Sequence, residues 1–133
     1  MHAPIRNTIA AALIAMTAAA APAHAGGQVS INLAPANAEQ EQAMRMGLGL
    51  YALSQGIKNG GIKQLGNGNM AGLAQNGSDN LGIVHQEGDG HTGTLTQNGN
   101  GNACGLFQFG KNTDGHVTQN GDGGTCATVQ VGW

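Results

Sequence analysis

From residue 62 onward, apolar and polar positions alternate in short runs that recur every 11 residues. An aliphatic residue stands at Ile62, Leu73, Val84, Leu95, Leu106 and Val117, with Thr128 the exception, and two residues after each comes a glutamine. These are Gln64, Gln75, Gln86, Gln97, Gln108, Gln119 and Gln130, an unbroken comb. Two residues ahead of the aliphatic position the side chain is small: Ala71, Gly82, Gly93, Cys104, Gly115 and Cys126. Side chains alternate across a strand, so small, aliphatic and glutamine positions share one inward face. The intervening positions are mixed, with His85, Thr96, Phe107 and Thr118 in one column, which suits an outer face with no single partner.

Each glutamine is followed two residues later by a glycine: Gly66, Gly77, Gly88, Gly99, Gly110, Gly121 and Gly132. Beyond it lies a run rich in Asn, Asp, Gly and Ser, with Asn69, Asn80 and Asn102 in one column; such residues accept positive φ and bond their own backbone. Each eleven therefore reads as one strand and one tight turn. A fixed period marks a repeat architecture. The pattern predicts an all-β fold, a parallel two-sheet β-solenoid of 11-residue half-repeats with 22 residues per coil.

In that geometry Gln64, Gln86, Gln108 and Gln130 form one vertical file, and Gln75, Gln97 and Gln119 another. Each amide can bond the next. A buried amide left unpaired costs about 1 to 3 kcal/mol, so a file is stable only where it continues. No sequence signal after Gln130 suggests a cap, and Gln64 and Gln130 are expected to be growth surfaces. Stacking also sets Asp89 beside Lys111, one coil apart. The expected partner is the chain itself.

The N-terminal part departs from the comb. Residues 1–25 hold one early cation, Arg6, an alanine-rich apolar run and Ala23-His24-Ala25, which together read as a secretory signal, too short to span a bilayer. Residues 26–61 form a leader outside the repeats, and 62–133 the repeat domain. Gln28 to Leu33 alternates polar residues with Val29, Ile31 and Leu33, a half-buried strand. Asn37 and Gln40 resemble a capping box at the head of a helix over residues 36–55, whose apolar face would be Ala43, Met46, Leu50 and Leu53.

With 24 glycines and four large aromatics, the chain cannot build an ordinary helix-on-sheet core, which leaves disorder or order by repetition. The period favours repetition. The net charge is -2, and about -3 once Arg6 is removed, with no basic patch, so nucleic acid and anionic membrane surfaces are poor partners. Neither membrane insertion nor a cofactor is expected. The two cysteines, Cys104 and Cys126, share a column one coil apart, within disulfide range if the strands pair in register; two small buried thiols fit equally. His85, His91 and His116 fall in three columns, which offers no shared metal site and places them on the surface. Gly105 to Lys111 nearly spells a phosphate loop, but Asn112 stands where Ser or Thr is needed. No nucleophile has a positioned base, so no catalytic residues are expected.

Gln64-x-Gly66-x-x-Asn69-x-Ala71-x-x-x-Gln75 resembles the curlin repeat of curli amyloid subunits. Gln75 to Gln86 and Gln97 to Gln108 keep the glutamines, Gly77 and Gly99, and Asn80 and Asn102, with Gly82 and Cys104 in the alanine place. The likeness covers residues 62 to 132. Where curlin repeats commonly open with serine, this chain has Lys58, Asn80, Asn102 and Gly124. The resemblance implies a major or minor subunit of a curli-type fibre at the bacterial surface, with other curlin subunits and an export machinery as partners and roles in adhesion and biofilm matrix. The alternative is a monomeric β-solenoid adhesin or ligand-binding module.

Overall fold

The structure is a computed structural model that describes residues 27–133. The described residues open with strand β1 (Gln28–Leu33) and helix α1 (Ala38–Ser54). Seven repeat strands follow: β2 (Gly60–Leu65), β3 (Met70–Asn76), β4 (Leu81–Asp89), β5 (Thr92–Asn98), β6 (Ala103–Lys111), β7 (Asp114–Asn120) and β8 (Thr125–Gly132). They alternate between two sheets, one in the order β1-β8-β6-β4-β2 and one in the order β3-β5-β7. Every pairing between repeat strands is parallel and steps by 22 residues, as in Gln64 with Gln86 and Gln75 with Gln97. This is the two-sheet β-solenoid that the 11-residue period predicts.

The core between the sheets is Val84, Leu95, Cys104 and Leu106, with Ala71, Leu73, Val117 and Cys126 packed around them. These are the small and aliphatic columns. Cys104 and Cys126 pair in register and form a disulfide, with Cα atoms 4.5 Å apart. Ile62, at the first coil, belongs to the same column but is 43% exposed because no coil lies beneath it.

Three expectations are corrected. First, the outer face of the five-stranded sheet has a partner. Helix α1 lies across it, and Leu48, Ala52, Ile83 and Ala103 form a second buried cluster flanked by Met44, Tyr51 and Phe107. Gly105 lets the helix come close, since a Cβ there would meet Leu48 Cδ2 at 2.9 Å. Second, the helix buries a different face from the expected one: Met46, Leu50 and Leu53 are exposed. Asn37 is the N-cap, accepting from the Gln40 amide at 2.9 Å, while Gln40 Oε1 accepts from Ala36 N–H at 2.8 Å. Arg45 then ties the helix to the turns by donating to the carbonyls of Gly101, Gly123 and Gly124 and to Thr125 Oγ1.

Third, the last coil is capped on one side. Strand β1 is half-buried, as its alternation predicts, but it runs antiparallel along β8, from Gln28 opposite Gly132 to Leu33 opposite Ala127. The residues 1–25 assigned to a signal lie outside the described residues.

Candidate assembly interface

The glutamine columns become two continuous files. Gln64 Nε2 donates to Gln86 Oε1 at 2.7 Å, Gln86 to Gln108 at 2.8 Å and Gln108 to Gln130 at 2.7 Å. In the other sheet Gln75 donates to Gln97 at 2.8 Å and Gln97 to Gln119 at 3.0 Å. The amide's second hydrogen crosses the core to the carbonyl 16 residues earlier: Gln86 to Met70, Gln97 to Leu81, Gln108 to Thr92 and Gln130 to Asp114. Gln86, Gln97 and Gln108 are wholly buried, yet both hydrogens of each are used. A satisfied polar network of this kind fixes register, because a slip of one residue would orphan several amides at once.

The turns repeat with the same economy of contacts. Asn69, Asn80 and Asn102 donate to the carbonyls of Gly88, Gly99 and Gly121, and their Oδ1 atoms accept from the backbone of His91, Asn102 and Gly124 in the next coil. Gly88 and Gly99 sit at φ near +120°, and a Cβ on either would lie 1.9 Å from the carbonyl oxygen of the glycine above. Only glycine fits there, for reasons of both conformation and stacking. Gly66, Gly77 and Gly110 have the same contact, while Gly121, on the last coil of the three-stranded sheet, has nothing within 4 Å.

Two histidines are not on the surface. His91 is fully buried in a turn, with Nδ1 2.7 Å from Thr113 Oγ1 and Nε2 3.1 Å from the Glu87 carbonyl. His85 lies under the helix against the Tyr51 hydroxyl, and helix packing, which the repeat does not encode, puts it there. His116 is exposed beside Asp114 and Thr94. Among the described residues, no group of three His, Cys, Asp or Glu side chains could hold a metal ion.

The ends of the files differ. At the first coil Gln64 and Gln75 donate forward, and among the described residues nothing donates to their Oε1 atoms. At the last coil Gln119 is half-buried at an open strand edge. Gln130, expected to be a growth surface, is only 4% exposed because β1 covers it, with Ser30 Oγ accepting from its amide at 3.3 Å. The sequence holds a strand signal at β1 but nothing that names its partner.

Fold and files together define a glutamine-laddered parallel β-solenoid with at least one open end. Residues 66–97 and 77–110 match the family model of the curlin associated repeat, so this segment is similar to curlin associated repeats. No curated protein and no solved structure matches the chain.

Proposed function

We propose that the chain is a secreted structural subunit, major or minor, of a curli-type amyloid fibre that grows by end-to-end stacking and serves cell adhesion and biofilm matrix. The single observation that carries this reading is the pair of glutamine files, satisfied within the molecule and open at Gln64, Gln75 and Gln119. An uncovered edge of parallel strands with low net charge is a template for another copy. In this reading residues 1–25 direct export, 26–61 form a leader, and 62–133 are the assembling domain. Its partners are copies of itself, other curlin subunits and the export machinery. The chain acts as a building unit and not as an enzyme.

A monomeric solenoid that binds a ligand is the second reading, favoured by β1 on β8 and α1 across the outer face, which make the unit more finished than a bare stack. The two readings separate in one experiment on the purified protein: thioflavin fluorescence against time, with and without preformed seeds, then fibre diffraction. Fibre formation gives a lag that seeds abolish and reflections near ~4.7 and ~10 Å. A solution that stays monomeric, with β-type circular dichroism and no response to seeds, rejects it.

A further inference from the structure

The seven repeat strands place four in one sheet and three in the other. An odd number has a consequence for stacking. A second copy added with its sheets on the same sides would lay its β2 on β8 and leave the shorter sheet one strand short at every joint. That gap exposes the unpaired edges of β7 and of the second copy's β3 inside the joint, at a cost of several unmade hydrogen bonds. A copy turned by half a turn about the stack axis lays its β2 on β7 and its β3 on β8. Both sheets then run on without a break.

The columns at the β7 edge fit this second arrangement. Gln119 comes to face the second copy's Gln64, whose Oε1 is the acceptor with no donor, and Val117 faces its exposed Ile62. In this turn file Ser78 N–H bonds Asn100 Oδ1 at 2.8 Å and Asn100 N–H bonds Asp122 Oδ1 at 2.7 Å. The next acceptor in the series is the second copy's Asn67. Gly121 keeps the φ of its column, +112°, and the space a Cβ would fill is empty, as a carbonyl from the second copy's Gly66 requires. Beside this edge runs a groove of about 290 Å³ walled by Asn32 of β1, His116 and Val117 of β7, and Cys126 and Thr128 of β8.

Strand β1 stands in the remaining place. It puts Ser30 opposite Gln130 in the glutamine column and Asn32 opposite Thr128 in the aliphatic column. Both are exposed, and the Ser30 contact, at 3.3 Å, is longer than any link in the glutamine files, which span 2.7 to 3.0 Å. A second copy's β3 would bring Gln75 and Leu73 to those same positions. We propose that the β7 edge is the docking site for β2 of a second copy turned by half a turn, and that the second copy's β3 displaces β1 from β8. The inference rests on the stacking reading above and adds its geometry and its gate.

Cross-linking tests the geometry. Lys63→Cys protein is mixed with Thr118→Cys protein or with Val129→Cys protein, seeded, oxidised and resolved without reductant. These three residues share one outward column, so Lys63 of the second copy lies next to Thr118 in the half-turned stack and next to Val129 in the unturned one. Covalent dimers with Thr118→Cys in about tenfold excess over those with Val129→Cys are expected from that proximity. The reverse preference, or equal yields, overturns the half turn. The gate is tested by Asn32→Cys/Thr128→Cys, whose parent side chains lie 2.9 Å apart and whose disulfide would hold β1 in place. Its seeded elongation should be at least about tenfold slower, because the rate follows the fraction of molecules with the site open. Elongation at the wild-type rate overturns the displacement of β1. Ile31→Pro, which weakens β1 without locking it, should shorten the lag; an unchanged lag in a folded protein counts against the gate. If wild-type protein never seeds at all, the stacking reading fails and the proposal with it.

Discussion

The five-stranded sheet carries Ile83, His85, Ala103 and Phe107 on its outer face, where the three-stranded sheet carries Thr94, Thr96, His116 and Thr118. Helix α1 covers the first set, with Ile83 fully buried, while Thr118 is exposed. The inner columns of the two sheets are nearly interchangeable: small, aliphatic, glutamine. What the difference teaches is that stacking constrains only the inward half of each strand. The outward half is free to specialise, one face for holding the molecule's own helix and the other for water. Even the polar face is ordered, since Asn76 donates to Asn98 and Asn98 to Asn120, each at 2.8 Å.

The strongest way to break this comparison is to truncate one residue on each face. Ile83→Ala should cost about 2 to 5 kcal/mol, because it removes a buried side chain under the helix and leaves a cavity. Thr118→Ala should stay within about 0.5 kcal/mol, as surface substitutions do. Urea denaturation of the monomeric protein measures both. Equal losses would mean that α1 is not seated on the five-stranded sheet in solution.

A smaller effect distinguishes the sheets from within. The small inward column runs Gly82, Cys104 and Cys126 in the five-stranded sheet and Ala71, Gly93 and Gly115 in the three-stranded one, so only the first is cross-linked. Closing a 22-residue loop should stabilise the folded state by about 3 kcal/mol through the entropy of the unfolded chain. Cys104→Ala/Cys126→Ala should therefore lower the urea midpoint, and added reductant should lower that of the wild type but leave the variant unmoved. A reductant effect of the same size on the variant would show that the disulfide is not its origin.

The stack itself was legible because each half-repeat restates it: Val84, Leu95 and Leu106 are inward by the same spacing that aligns Gln86, Gln97 and Gln108. The non-repeating parts were not. Apolar residues ring most of α1, with Met44, Met46, Leu48 and Leu50 alternating through Gly47 and Gly49, so a 3.6-residue period does not select one face. The choice is made by fit, Leu48 against Gly105, and by the reach of Arg45 to the turn carbonyls. The alternation in Gln28 to Leu33 likewise specifies a strand while leaving its partner and direction open; six residues carry no record of pairing with β8. His85 is hidden from the sequence for the same reason, since its burial comes from Tyr51 of the helix, whereas Thr113 stands 22 residues after His91, one coil on in the same column, so that partner follows from the repeat itself.

The subtlest difference between the two faces is their response to alkali. Under the helix the Tyr51 ring packs edge-on against His85 and Phe107, and its hydroxyl meets His85 Nδ1. Burial there raises its pKa above the ordinary 10.0, and the charge of Glu87 adds to the rise. A phenol held neutral by folding contributes stability that is complete below the unfolded pKa of 10.0 and is lost as pH rises through the higher folded value. The urea midpoint of the wild type should therefore fall more steeply than that of Tyr51→Phe as pH rises above the ordinary 10.0. At neutral pH Tyr51→Phe should cost only about 1 kcal/mol, the worth of one hydrogen bond. Because the chain has a single tyrosine, phenolate absorbance reports the same titration directly. Parallel alkaline slopes in the two proteins, or a phenolate transition at or below the ordinary value, would place the ring in water and the helix away from the face that distinguishes this sheet.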